Sequence, residues 1–193
     1  MPKIGMEPIR RKALVNATIF EIGRAGTLDV TVSQIAKRAG MSSALAHHYF
    51  GGKDQIFLAA MRHILSVYGA QVRAALLVAK TPRDRVEAII HANFEAGNFR
   101  PEVISAWLNF YVLSQSMDGA RRLLRVYQHR LHSNLVHPLR DLVGDDAHEV
   151  ADMIAAMIDG HYIRHALRED TPSGKRATKQ VLEFLELMLE ARK

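Results

Sequence analysis

The stretch Thr31-Val32-Ser33-Gln34-Ile35-Ala36-Lys37-Arg38-Ala39-Gly40-Met41-Ser42-Ser43-Ala44-Leu45-Ala46-His47-His48-Tyr49-Phe50 restricts the fold more than any other part of this 193-residue chain. Thr31 with Gln34 three residues later predicts a capping box, in which two residues satisfy each other's backbone N–H groups at a helix start. Ile35 and Ala39 give that helix an apolar side, and Ala36 is small enough to let a neighbouring helix come close. Gly40 suits the left-handed conformation that turns a chain sharply. Met41 supplies an apolar residue to the turn, and Ser42 predicts a cap on the next helix. Two short helices joined by a tight glycine turn cross steeply, as in a helix-turn-helix. Leu45 and Phe50 are expected to close its core.

Three capped helices of any bundle would share those caps, so charge decides what the motif is for. Residues 1–62 hold nine basic residues against four acidic ones, whereas the remainder holds 17 against 16. Nearly all of the formal net charge of +6 therefore lies in the third that carries the motif. Such asymmetry points to a polyanion partner. Ser42, Ser43, His47 and His48 offer hydrogen bonds to base edges or phosphates, and Tyr49 carries a hydroxyl within reach of a phosphate. Lys53 opens the following helix, where its charge joins the free amides of a helix start. The candidate DNA-contacting set is Arg10, Arg11, Thr31, Ser33, Ser42, Ser43, Ala44, His47, His48, Tyr49 and Lys53.

Proline and glycine punctuate the rest at helical intervals, with no sustained strand alternation. An all-α fold of nine helices is expected. The first runs from about Pro8 to Ala25 and stops at Gly26, with Leu14, Ala17, Thr18 and Ile22 facing inward. After the two short helices come Lys53–Val78, a fifth opened by Thr81-Pro82 and running to about Phe94, and Pro101–Ser116. Asp118 is read as the cap of a seventh reaching about Leu142; an eighth covers about Asp146–Arg168. Thr171-Pro172-Ser173-Gly174 leads into a ninth ending near Ala191. The expected organisation is a DNA-binding head over 1–55, with the motif at 31–50, and a helical ligand-binding and dimerisation body over 56–193.

Without cysteine the chain has no disulfide or thiolate metal site, which fits a reducing cytoplasm. The opening residues lack the apolar core of a signal peptide, and no stretch approaches the ~18 apolar residues of a membrane span. His129 and His132 lie three apart without a third ligand spaced to join them, and no catalytic motif of the hydrolase, phosphate-loop or zinc-protease kinds appears. Neither an enzyme nor a cofactor or metal site is expected.

Residues 10–60 resemble the DNA-binding domain of the TetR family of repressors. The likeness rests on Gly26, Thr31-Val32, Ile35-Ala36, Ala39-Gly40, and Tyr49-Phe50 followed by Lys53. Further stretches are similar to the choline-responsive branch of that family, which represses glycine betaine synthesis. They are Met1-Pro2-Lys3-Ile4-Gly5-Met6, Ile9-Arg10-Arg11, Ala106-Trp107-Leu108, Ser133-Asn134-Leu135-Val136 and Ile158-Asp159-Gly160. His47 departs from that branch, which has a small polar residue there, so a different operator sequence is implied.

The resemblance implies a repressor of choline uptake and betaine biosynthesis genes that binds double-stranded operator DNA and is induced by choline or betaine aldehyde. It also implies a homodimer formed through the last two helices. Val150, Ile154, Met157 and Ile158 on the eighth, with Val181, Leu182, Leu185, Met188 and Leu189 on the ninth, form apolar stripes broad enough for both a core and a second copy. Trp107, Phe110, Tyr111, Tyr127, Asp159 and Tyr162 are the candidate ligand residues, with Phe94, Glu149 and Asp152 also weighed. Aromatic faces attract a quaternary ammonium that has no hydrogen to donate, although each ring is equally suited to a plain core. Two other readings stay open: a repressor of the same family answering to a drug or lipid, and a helical protein-interaction module whose basic end is incidental.

Overall fold

The computed structural model describes residues 5–167 and 173–192, and among these residues every regular element is helical. The helices are α1 (Met6–Ala25), α2 (Val32–Arg38), α3 (Ser43–Phe50), α4 (Lys53–Val78) and α5 (Pro82–Asn93), then α6 (Pro101–Ser116), α7 (Asp118–Val143), α8 (Ala147–Ala166) and α9 (Gly174–Glu190). Met1 to Ile4, Arg168, and the Thr171-Pro172 lead into α9 lie outside the described residues.

Local chemistry sets most of the helix ends. Thr31 and Gln34 form the reciprocal capping box on α2. Gly40 turns with φ of 68°, and the Ser42 hydroxyl accepts from the Leu45 amide at 3.2 Å. Thr81 and Asp84 make a second box ahead of Pro82, and Ser173 caps α9. Two boundaries correct the sequence reading. Met117, not Asp118, occupies the cap position of α7, while Asp118 lies in the first turn and pairs with Arg121 at 3.1 Å. A carboxylate inside the first turn still meets the positive end of the helix dipole. A single 3-10 turn over Gly144–Asp146 takes up the residues between α7 and α8, so α8 begins at Ala147.

Helices α1 to α3 pack around Leu14, Ala17, Thr18, Ile22, Ile35, Ala36 and Ala46, all buried. Glu21 is buried with them; its carboxylate takes hydrogen bonds from Arg38 of α2 and from Arg24. Arg38 also stacks over Phe20 at 3.7 Å. Those two arginines hold the Glu21 carboxyl below its usual range, Arg38 contributing most and burial opposing.

Helix α4 joins this head to a body built from α5 to α9. At 1.5 Å per residue its 26 residues span about 39 Å. Helix α1 also reaches the body directly, by lying on α6. At Gly23 the two backbones meet: a Cβ there would stand 2.5 Å from the Glu102 Cα. Asn109 of α6 donates to the Gly26 carbonyl at 3.3 Å, tying off the end of α1. The head is thus coupled to the body through α4 and through the α1–α6 contact.

Candidate nucleic-acid interface and ligand chamber

Helix α3 leaves Ala44, His47 and His48 exposed on one short helix, with Ser42 exposed just ahead of it and Ser43 half-buried. His47 Nδ1 donates to the Gly51 carbonyl at 3.2 Å, which leaves Nε2 as an acceptor in the neutral ring. Thr31 and Ser33 are exposed at the start of α2, and Lys53, half-buried at the first position of α4, holds its ammonium 5.5 Å from the Phe57 ring. Arg10 donates to the Tyr49 hydroxyl at 3.4 Å. Arg11 pairs with Glu7 at 2.7 Å, its guanidinium 5.1 Å from the Phe50 ring. The arginines of α1 are therefore anchored to the end of α3, and the candidate set gathers at one end of the molecule.

The second concentration of chemistry is a closed chamber inside the body. Ile64 and Tyr68 of α4, Asn93 of α5, Asn98 of the following loop, Trp107 and Tyr111 of α6, Tyr127 of α7 and Tyr162 of α8 line it. Trp107 stands 4.7 Å from Tyr127, 5.7 Å from Tyr111 and 6.2 Å from Tyr162, while Tyr68 meets Tyr127 edge-on at 5.9 Å. The polar tips are all engaged. Tyr111 donates to the Asp159 carboxylate at 2.9 Å, Tyr162 to the Asn93 carbonyl at 2.6 Å, and Asn93 to the Tyr68 hydroxyl at 3.1 Å. Burial lifts the Asp159 carboxyl above its usual range, and the Tyr111 bond offsets this only in part. The remaining space is about 10 Å³, room for roughly one water. A quaternary ammonium therefore enters only if these rings part.

The chamber brings together five of the six candidate ligand residues: Trp107, Tyr111, Tyr127 and Tyr162 on its walls and Asp159 behind Tyr111. Phe110 is a correction. It is fully buried behind Trp107, at 5.9 Å, because three residues along a helix turn it to the core side. Phe94 stacks on the far side of Tyr162. Glu149 pairs with Arg192 and Asp152 with His132, both away from the chamber. Tyr68, Asn93 and Asn98 were not singled out in the sequence. Tyr68 follows Ile64 by four residues, a helical spacing that pointed to it only weakly, and nothing local marks the two asparagines. A larger groove of about 1050 Å³ runs between α4, α5 and α9, but alanines and mixed charges line most of it.

Two family descriptions divide the chain. Residues 14–60 match "Bacterial regulatory proteins, tetR family", and residues 82–190 match "BetI-type transcriptional repressor, C-terminal". A regulator named HTH-type transcriptional regulator BetI from Brucella anthropi is 52% identical over the whole of both chains. One of the same name from Agrobacterium fabrum is 47% identical over 99% of this chain and 93% of its own.

The chain belongs to the BetI-type repressors of the TetR family. BetI-type proteins are transcription regulators and not enzymes, so the exposed α3 belongs to a DNA-binding head. Solved structures share the fold at low identity. A putative regulator from Pseudomonas aeruginosa superposes with a TM-score of 0.80 at 24% identity, covering 95% of this chain and 91% of its own. One from Saccharomonospora viridis, solved in complex with choline, gives 0.81 at 23%, covering 91% and 95%. Among the described residues no helix of this BetI-type chain is long and apolar enough to cross a membrane, and no three His, Asp or Glu residues are grouped to hold a metal ion.

Proposed function

We propose that this BetI-type repressor occupies an operator as a homodimer in the cytoplasm and is released by choline or betaine aldehyde bound in the aromatic chamber. The observation that carries the ligand reading is the chamber's composition: four tyrosines and a tryptophan around one space, with the Asp159 carboxylate behind Tyr111. Aromatic faces hold a desolvated quaternary ammonium by ~2 kcal/mol or more, and a nearby carboxylate adds charge complementarity. A neutral drug or lipid gains nothing from that carboxylate. The choline bound to the Saccharomonospora viridis neighbour supports the same ligand class. Choline as inducer makes choline uptake and betaine biosynthesis genes the controlled set.

The head is residues 1–55 and the body 56–193. His47, His48, Ser43 and Ala44 read bases from α3, while Arg10, Arg11, Thr31, Ser33, Ser42, Tyr49 and Lys53 grip the strands. A second copy doubles the reading surface and sets half-sites about one helical turn apart, ~34–36 Å, or a multiple of it. Most of the apolar stripe of α8 and α9 is spent within the protomer, since Val150, Ile154, Ile158, Val181 and Leu185 are buried. What remains for a partner is Ile163, Leu167 and Leu187, exposed by 39, 71 and 60%. The chamber transmits its state because its walls include α4, which enters the head, and α6, on which α1 rests. A ligand that spreads these helices favours a different spacing of the two heads. Moving the population from about 1:99 to 99:1 takes ~5.5 kcal/mol of differential affinity.

Trp107 is the single tryptophan of the chain and a wall of the chamber, so its fluorescence reports occupancy directly. Choline or betaine aldehyde is expected to change that emission saturably and to lower retention of the operator fragment; no change with either removes the osmoprotectant reading. Replacing His48 and Lys53 by alanine should weaken operator binding, by ~1–3 kcal/mol for a lost base contact and one unit of salt slope for a lost phosphate contact. Unchanged gel shifts would favour the protein-interaction alternative. Footprinting upstream of the chain's own gene reads both target and symmetry.

A further inference from the structure

A second cavity of about 350 Å³ lies against the chamber, in the groove between α4 and α7, and the two share a wall: Tyr68 and Tyr127 line both. Beyond that tyrosine pair the lining changes character. Arg73 comes from the α4 side, and Arg130 and Asn134 from the α7 side, among Leu65, Leu76 and Val126. No acidic residue lines the groove, and neither arginine enters an ion pair among the described residues. Arg73 is drawn back along its own helix over a residue without a side chain: a Cβ at Gly69 would stand 3.4 Å from its Nη1. Two like charges thus line opposite sides of a groove one ring's thickness from a chamber suited to cations. Unneutralised guanidinium pairs of this kind are complementary to carboxylate or phosphate, which they bind through charge-assisted, often bidentate hydrogen bonds.

We propose that the α4–α7 groove is an outer subsite for an anionic group, so that the ligands bound best are zwitterions carrying a trimethylammonium at one end and a carboxylate or phosphate at the other. The proposal rests on the quaternary-ammonium reading of the chamber and adds the second half of the ligand. The trimethylammonium sits among Trp107, Tyr111 and Tyr162; the chain of the ligand passes between Tyr68 and Tyr127; the anion reaches Arg73 and Arg130. Displacing Tyr68 breaks its bond from Asn93, so occupying both halves at once is also what moves α4. A repressor built in this way senses the oxidised, carboxylated form of a choline-like alcohol, or its phosphate ester, as well as the alcohol itself.

The test is a Trp107 fluorescence titration of the full chain with choline, glycine betaine and phosphocholine, in the wild type and in the Arg73→Gln, Arg130→Gln double variant. At low ionic strength the wild type should bind at least one zwitterion more tightly than choline, and the double variant should lower the ratio of zwitterion to choline affinity by about tenfold. Glycine betaine alone showing the effect identifies a carboxylate subsite, and phosphocholine alone a phosphate subsite. An unchanged ratio for both zwitterions overturns the outer subsite and leaves the chamber standing. If none of the three ligands alters Trp107 emission, it is the chamber reading that fails. Should the double variant prove unstable, salt gives the same answer in the wild type. Added sodium chloride should erode the zwitterion advantage over choline, and a salt-independent ratio overturns the proposal.

Discussion

The head and the chamber satisfy their polar groups in opposite ways. In the head, Thr31 and Gln34 pair across three residues, and so do Ser42 and Leu45. In the chamber, Asn93 reaches Tyr68 across 25 residues, Tyr111 reaches Asp159 across 48, and Tyr162 reaches Asn93 across 69. A bond between near neighbours in sequence survives any rigid movement of its helix. A bond between distant helices breaks when either one shifts. The reading head can therefore travel as a unit, while the chamber is where helix movement is registered. This division suits a regulator whose ligand must alter the spacing of two heads without melting them.

The joint between the regions gives the largest expected effect. At Gly23 the α1 and α6 backbones leave no room for a methyl group, which would stand 2.5 Å from the Glu102 Cα. Gly23→Ala should destabilise the protein by ~1–3 kcal/mol through overpacking, reduced by up to ~1 kcal/mol because alanine favours helix over glycine. Urea unfolding gives the sign. The same variant should alter operator affinity without touching any DNA-contacting side chain. A variant at least as stable as the wild type, with unchanged operator binding, would show that α1 and α6 are not rigidly coupled.

Next in size is the effect of Asp159. Its carboxyl is held above the usual range by burial, so the folded protein keeps its proton more tightly than the unfolded chain. Stability is thus lost as pH rises from 3.8 through that raised value, and Asp159→Asn should remove the loss. Choline affinity runs the other way, increasing through the same window as the carboxylate forms. In Asp159→Asn the rise should vanish, and affinity at neutral pH should fall by about tenfold, or ~1.4 kcal/mol. A titration series in Trp107 emission from pH 4 upward reads both. A pH-independent wild type would remove Asp159 from cation binding.

The contrast in bonding range also explains what could be read in advance. Thr31, Gln34, Gly40 and Ser42 announce their roles because each acts within four residues, and the helix ends follow from such signals at nearly every boundary. The miss at Asp118 is of the same local kind: an acidic residue suits both the cap and the first turn, and only backbone geometry separates them. The chamber was legible as a set of residue types on several helices, not as a list of walls. Phe110 was drawn in by its nearness to Trp107 and Tyr111, and Glu149 and Asp152 by their nearness to Asp159. Tyr68, Asn93 and Asn98 were missed because their value lies in contacts made from far along the chain. Which face of α4 turns toward α7 and α8 is a property of packing, and no local pattern states it.

The smallest expected effect tests the head alone. Thr31→Ala removes the hydroxyl that accepts from the Gln34 amide at 3.2 Å, while the Gln34 side chain still accepts from the Thr31 backbone. Losing half of the box should cost ~1 kcal/mol, with an unchanged denaturant slope because no additional surface is exposed. Thr31→Ser keeps the hydroxyl and should recover most of it. The bond is confined to residues three apart and shares no partner with the chamber, so choline affinity should be the same in both variants. If Thr31→Ala shifted ligand affinity as much as stability, the head would not be an independent local unit, and the division between short-range and long-range bonding would not describe how this repressor works.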